Sequence, residues 1–331
     1  MNIFFFIILL ILFNYFFYKN YQKISSIIRI FDYPDKIRKK HLNPIPLLGG
    51  PQLIINIYII YFANYFLQFI DAEFQFNDFL IFSTLVFLLG FFDDKFDINV
   101  TLKFSSLLAI ILFLLLLNDK LLIKNLYFET GNYNFYIAKY SIFFTLLCFL
   151  LFLNACNMFD GVNLQLVLYS SQILIFFLIQ NIFLMFSILI LISLLFFILL
   201  NKDGKIFFGD SGSLLIGFVI AYIVINQYNI NPQKLSCEVI FLIMFLPGVD
   251  MFRLFLLRLI NKKNPFKPDR NHIHHLIGEN YNFLKSTLII QSTIFVSLLI
   301  STQIKIIYVI LFLILFYIGL INFFTKLNLK Q

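Results

Sequence analysis

The chain has 331 residues, of which 61% are hydrophobic and only 13% charged, with a net charge of +8 and a mean hydropathy of +0.91. That balance excludes a water-soluble domain, and the succession of apolar runs exceeds what one buried core requires. The three cysteines, Cys148, Cys156 and Cys237, form no CxxC pair, so neither a zinc site nor a disulfide framework is expected.

In chain order, apolar runs predict about eleven transmembrane helices, near 2–18, 45–67, 79–92, 101–118, 140–154, 163–180, 182–200, 212–227, 237–260, 286–300 and 304–324. The fold class expected is all-α, a polytopic integral membrane protein made of one transmembrane domain over 1–331. Met1 to Tyr18 has no basic leader and no small-residue cleavage site, and reads as an uncleaved first span. With the N-terminus outside and the C-terminus cytoplasmic, the cytoplasmic loops fall at 19–44, 93–103, 154–162, 201–211 and 253–285. Only Lys120, Lys124, Lys139, Lys234 and Lys305 of the 25 basic residues then lie on the outer side, as the positive-inside rule requires. Eleven of the 17 acidic residues share the inner side. Orientation alone has no use for carboxylates, so mixed charge on one face points to a site for a metal and phosphates.

Five inner segments carry that reading. Arg38, Lys39, Lys40 and His41 precede Pro44-Ile-Pro46-Leu-Leu-Gly49-Gly50, either a phosphate-binding edge with a fixed backbone or a snorkelling anchor. Next comes Asp93-Asp94-Lys95-Phe96-Asp97. Like charges at i, i+3 and i, i+4 repel unless a cation lies between them, so a Mg²⁺ site or a proton acceptor is expected there. Asn154, Asn157, Asp160 and Asn163 form a polar stripe at a membrane edge, as metal or base ligands or as glue between helices. Phe207-Phe208-Gly209-Asp210-Ser211-Gly212-Ser213 precedes a span, with Asp210 near a helix N-terminus suited to a phosphate and its Mg²⁺, or simply to capping. The last segment, Asp250 to Lys285, holds Arg253, Arg258, Pro265-Phe266-Lys267-Pro268-Asp269-Arg270 and the cluster His272, His274 and His275. That mixture suits a polyphosphate or nucleotide better than zinc.

Taken in order, these segments resemble the polyprenyl-phosphate N-acetylhexosamine-1-phosphate transferases, and are nearer to the branch that uses UDP-N-acetylglucosamine than to the muramyl-pentapeptide branch. The resemblance implies transfer of an N-acetylhexosamine 1-phosphate, foremost GlcNAc-1-phosphate, from a UDP-N-acetylhexosamine to undecaprenyl phosphate, with release of UMP, at the cytoplasmic face of the cell inner membrane. It implies Mg²⁺, or Mn²⁺, as cofactor, held by Asp210 and Asn157. Asp93, Asp94 and Asp210 become the catalytic carboxylates. Lys39, Asn157, Asp160, Phe207, His272, His274 and His275 become substrate-binding residues. A homodimer joins the expected partners; nucleic acid does not. The family usually continues Asp160-Gly161 with a second Asp-Gly and a Leu, where this chain has Asn163-Leu164-Gln165. That departure bears on the donor sugar more than on the reaction. The rival readings are a phospho-MurNAc-pentapeptide transferase of the same family and, in another class, a secondary transporter, whose acids would lie near the bilayer midplane.

Overall fold

The computed structural model describes residues 3–34, 43–262, 272–278 and 283–328. Among them twelve α-helices follow in order: α1 Ile3–Ile28, α2 Gly49–Leu67, α3 Phe76–Phe96, α4 Val100–Leu117, α5 Ser141–Phe159, α6 Gln165–Ile179, α7 Leu184–Asn201, α8 Gly209–Ile230, α9 Cys237–Ile260, α10 Ile273–Gly278, α11 Phe283–Ile300 and α12 Ile306–Asn328. Four short 3-10 turns and two small antiparallel strand pairs lie between them. β1 (Phe31–Asp32) pairs with β2 (Ile45–Pro46), and β3 (Asn125–Phe128) with β4 (Tyr133–Tyr136).

Eight of these helices, α1, α3, α4, α5, α7, α8, α9 and α12, are long and apolar enough to cross a membrane. The chain is a multi-pass helical membrane protein. Each of the eleven expected spans meets one long helix, but α2, α6 and α11 fall short of that test. In α2 the cause is composition, since Gln52, Asn56 and Asn64 dilute its apolar run. Those amides have partners: Asn14 Nδ2 of α1 donates to Asn56 Oδ1 at 2.6 Å, Gln52 Nε2 to Asn14 Oδ1 at 2.8 Å, and Gln52 Nε2 to Ser193 O of α7 at 3.2 Å. Buried amides that bond across helices hold α1, α2 and α7 together where hydrocarbon gives no hydrophobic drive.

At the centre stands α8, buried at every residue from Ser211 to Tyr228 and packed against α2, α3, α5 and α6. Small residues let its neighbours close in: a Cβ at Gly90 of α3 would fall 2.5 Å from Ser211 Cα. The start of α8 is therefore pressed against the end of α3, and that contact makes the site.

Two expected loops prove largely helical. Asp93 and Asp94 belong to the last turn of α3, and Asn154 to Phe159 to the last turns of α5. A terminal turn can be polar and still satisfy its backbone internally, which an apolar-run criterion misses. Lys39, with Arg38, Lys40 and His41, lies outside the described residues, as does Pro265-to-Arg270.

Candidate active site

Four helix ends converge. Asp94, near the end of α3, accepts the backbone N–H of Asp210 (Oδ1, 2.7 Å) and of Ser211 (Oδ2, 3.0 Å). The first turn of α8 leaves those N–H groups without intrahelical partners, and a carboxylate is favourable at a helix N-terminus. Gly209 permits the approach, with φ +68 and a position where a Cβ would lie 2.6 Å from Asp94 Oδ2. The N-terminus of α8, expected to suit a phosphate, is thus occupied by a carboxylate from α3.

Asp93, on the adjacent line of α3, faces Lys103 of α4. Lys103 Nζ lies 2.7 Å from Asp93 Oδ2 and also contacts Asp210 Oδ2, so one ammonium bridges the carboxylates of α3 and α8. Asp93 Oδ1 further accepts the N–H of Ile98 at 2.9 Å. The turn between α3 and α4 is short because Asp97 takes a left-handed conformation (φ 51) and Asn99 caps α4 by accepting Thr101 N–H. Asp97 itself is exposed and does not share the cluster's face, contrary to what helical spacing implied.

From α5, Asn157 completes the group. With its amide oriented to satisfy its neighbours, Nδ2 donates to Asp210 Oδ1 (2.9 Å) and Ser213 Oγ (2.8 Å), while Oδ1 accepts from Lys103 Nζ (3.2 Å). Turned over, the amide would set its oxygen 2.9 Å from Asp210 Oδ1, two acceptors that only a bound cation reconciles. The donors are all oxygens, the preference of a hard divalent cation, and Asn157 and Asp210 fit such an ion as part of an open site. Among the described residues no group of three His, Cys, Asp or Glu forms a closed metal site. Remaining ligands would come from water or substrate.

The expected stripe ends at Asp160, the C-cap of α5, whose backbone leaves the helix (φ −78, ψ 48). Burial, then the charges of Asp210 and Asp94, push its carboxyl up to about 8. Asn154 turns to its own helix and donates to Leu150 O at 2.7 Å, and Asn163 lies by Gly204 rather than in the cluster. Phe207 works through its backbone. Its carbonyl accepts Leu48 N–H (3.2 Å) and Gly49 N–H (3.1 Å), and its N–H donates to Pro46 O (3.0 Å), tying the Pro/Gly segment to the start of α8.

The histidines are held from a second centre. Asp250 of α9, 1% exposed, receives Arg253 Nη2 (2.8 Å) and Tyr317 Oη of α12 (2.9 Å) on Oδ1. Its Oδ2 meets His272 Nδ1 (2.9 Å) and Ile273 N–H (3.3 Å). Arg253 Nε also donates to Tyr317 Oη at 2.9 Å. This hub fastens α10 to α9 and α12 and delivers His274 to Asp160-Gly161, where a Cβ on Gly161 would collide with His274 Nε2. His274 is buried, stacks on His272 with ring centroids 5.5 Å apart, and finds no hydrogen-bond partner for either ring nitrogen among the described residues. Burial holds its pKa well below the usual histidine value, so the ring stays neutral. His275 is half-buried beside it, ring centroids 4.3 Å apart.

The structure thus gathers Asp93, Asp94, Asn157 and Asp210 at one point, with Asp160, His272, His274 and His275 along one flank. Sequence reading assigned no role to Lys103, Ser213, Asp250 or Tyr317. Lys103 did carry a signal: a cation in the first turn of a helix opposes the macrodipole and calls for a carboxylate partner.

The model of the family described as Glycosyl transferase family 4 matches residues 77–227, the stretch from α3 to α8 that holds this cluster. The chain is 26% identical over 268 residues to the undecaprenyl-phosphate alpha-N-acetylglucosaminyl 1-phosphate transferase of Salmonella typhi, covering 77% of this chain and 71% of that protein. The same figures hold for the protein of that name from Escherichia coli K12. For that from Yersinia pestis the identity is 27% over 269 residues, with the same coverage.

Proposed function

We propose that the chain is a member of glycosyl transferase family 4 and transfers N-acetylglucosamine 1-phosphate from UDP-N-acetylglucosamine to undecaprenyl phosphate, a reading supported by the family match over 77–227 and by the similarity to transferases of that name. In the balanced step, a phosphate oxygen of the lipid attacks the sugar-linked phosphorus of the donor. The bond from that phosphorus to the bridging oxygen breaks, and UMP leaves with the electron pair. The reading rests above all on one observation: Asp93, Lys103, Asn157 and Asp210 meet across four helices inside the stretch matched by the family model.

Two phosphates must approach each other, so the barrier is largely electrostatic. Lys103, released from Asp210, supplies a positive charge to the reacting phosphates. Asp93 holds Lys103 in position through this exchange. Asp94 neutralises the N-terminus of α8 and so fixes the direction of Asp210. A divalent cation, Mg²⁺ or Mn²⁺, would be held by Asp210 and Asn157 and would draw charge off the donor diphosphate. Asp160, Phe207 and neutral His274 line the donor side, with His272 and His275 beside them and Lys39 as a further phosphate contact. Neutral groups there accept a nucleotide without adding to its anionic repulsion.

A site made of helix ends on one side of the bundle suits a lipid phosphate at the membrane surface and a donor from water. The distribution of basic residues supports an orientation with the N-terminus outside and the C-terminus and site cytoplasmic, in the inner membrane, with eleven helices crossing. A midplane transport site would distribute its acids differently. The purified protein with undecaprenyl phosphate and Mg²⁺ should release UMP from UDP-N-acetylglucosamine ahead of UDP-N-acetylgalactosamine and UDP-MurNAc-pentapeptide. Release from none of these donors would overturn the proposal.

A further inference from the structure

At the far end of α4 lies a surface with no part in that chemistry. The β3–β4 hairpin pairs Asn125 with Tyr136, Leu126 with Phe135, Tyr127 with Asn134 and Phe128 with Tyr133. Side chains alternate across a strand, so Leu126, Phe128, Tyr133 and Phe135 share one face. Apart from a single hydroxyl that face is apolar, and it is open: Phe128 is 39%, Tyr133 72% and Phe135 63% exposed. The opposite face mixes Asn125 and Asn134 with Tyr127 and Tyr136.

The hairpin is firmly tethered. Tyr228 Oη of α8 accepts Tyr127 N–H (2.8 Å) and donates to Asn125 O (2.7 Å). Glu238, in the first turn of α9, accepts the N–H groups of Glu129 (3.1 Å) and Thr130 (3.0 Å). Ile123 N–H donates to Thr145 Oγ1 of α5 at 2.9 Å. Leu126 packs half-buried against the core, but the three aromatic side chains of Phe128, Tyr133 and Phe135 on a fixed hairpin, left in water, would be a costly arrangement.

Position identifies what covers them. The 18 residues of α4 rise about 27 Å, close to one hydrocarbon thickness, from its first turn near the acidic site to the hairpin end. Leu116 and Leu117 at the end of α4 are 64% and 62% exposed, and Phe143 in the first turn of α5 is 67% exposed. In a membrane protein these are lipid-facing positions, and the hairpin joins the two helices that bear them. Tyr140 extends the aromatic series, with the Lys139 ammonium 5.4 Å from its ring centroid. Lys120, Lys124 and Lys139 add cations at the same level. Aromatic rings beside lysines are the composition of a membrane–water interface.

We propose that the β3–β4 hairpin is an interfacial anchor, the exposed Phe128, Tyr133 and Phe135 of that face lying in the headgroup region of the leaflet opposite the acidic site. The partner is the lipid surface itself. Through Tyr228 and Glu238 the anchor sets the depth of α8 and α9, the helices that carry Asp210 and Asp250.

The chain has no tryptophan, so Tyr133→Trp and Phe135→Trp each create a single fluorescent reporter in the full-length protein. In phosphatidylcholine nanodiscs, lipids brominated near the headgroup should quench both reporters at least about twofold, with blue-shifted emission and little response to aqueous iodide. Asn134→Trp, on the other face, should respond to iodide. Quenching of the first two reporters by iodide instead of by lipid would overturn the proposal. Quenching by neither would also overturn it, since protein, such as a second copy, would then cover the face. Should the variants misfold, a photoactivatable phosphatidylcholine can be cross-linked to the unaltered protein and the labelled peptides mapped. Label in 125–136 supports the anchor; label on α4 and α5 with none in 125–136 refutes it.

Discussion

Two buried polar centres, one around Asp210 and the other around Asp250, are built on opposite principles. Around Asp210, the carboxylates of Asp93 and Asp210 share the Lys103 ammonium, Asp94 sits on the first N–H groups of α8, and a fourth acid, Asp160, lies close by. Around Asp250, one carboxylate receives an arginine, a histidine, a tyrosine and a backbone N–H. Among the described residues the first centre gathers more carboxylates than cations, which suits an added cation; the second is a closely bonded hub that holds its neighbours. Under-neutralised acid suits phosphoryl chemistry, and a fully bonded hub suits positioning.

The contrast breaks first at Asp210. Asp210→Asn keeps a side chain that can accept from Lys103, and the Asp210 side chain is 32% exposed, so folding should change little. Transfer should fall by about 10³-fold or more, because a metal contact contributes several kcal/mol to the transition state. Steady-state UMP release together with thermal unfolding separates the two quantities. Full turnover in this variant would remove Asp210 from the metal assignment.

At the hub the effect reverses. Asp250→Ala leaves Arg253, His272 and Tyr317 without their shared acceptor, and loss of one partner from a buried charged network costs about 3–5 kcal/mol. Stability should fall by that order. In protein rescued by lower temperature, KM for the UDP-sugar should rise more than kcat falls, since His274 loses its support. Unchanged stability with lost kcat would make Asp250 part of the reaction instead.

Lys103 tests how far the acidic centre depends on the cation that bridges it. Lys103→Gln leaves Asp93 and Asp210 facing each other, and stability should drop by about 1–3 kcal/mol. Mg²⁺ or Mn²⁺ should then raise the unfolding temperature of the variant more than that of the parent, because the ion replaces the missing charge. An equal rise in both would mean the ion binds away from this pair.

Much of this was legible in the sequence, and the rest was hidden for definite reasons. Each of the eleven apolar runs coincides with a helix, and eight of those helices are long and apolar enough to cross a membrane, because hydrocarbon demands uninterrupted apolar length wherever a helix crosses it. Asp93, Asp94, Asn157 and Asp210 stood out since acids and amides at span ends are expensive without partners. What each one does was not legible. Asp94 caps α8 across 116 residues, and Asp250 joins Tyr317 across 67, pairings fixed only by how helices pack. The β3–β4 hairpin went unread because its aromatic runs sit beside apolar spans of similar composition.

A smaller effect depends on pH. The Asp160 carboxyl, raised to about 8 by burial and by its acidic neighbours, holds its proton more tightly folded than unfolded. Its contribution to stability is therefore complete below the ordinary carboxylate range and declines as pH rises toward about 8. Asp160→Asn, neutral throughout, should flatten that decline. Unfolding temperatures of parent and variant in detergent across pH 5 to 8 (roughly the window given by the shift) measure it; parallel curves would mean Asp160 is ionised throughout.

The smallest effect concerns a single backbone position next to Asp160. Leu164 has φ +67, a left-handed backbone that glycine adopts most readily, and its N–H donates to Asn201 Oδ1 at 2.7 Å. A left-handed conformation costs an L-residue roughly 1–2 kcal/mol. Leu164→Gly relieves that strain and loses a half-buried side chain worth about 1 kcal/mol, plus some unfolded-chain entropy, so the net change should be near zero. Leu164→Ala loses the contact and keeps the strain, and should be the less stable by about 1 kcal/mol. Glycine outranking alanine at the start of a helix inverts the usual order. The inversion can arise only if the turn after Asp160 is held left-handed by Asn201, and chemical denaturation of the two variants decides it.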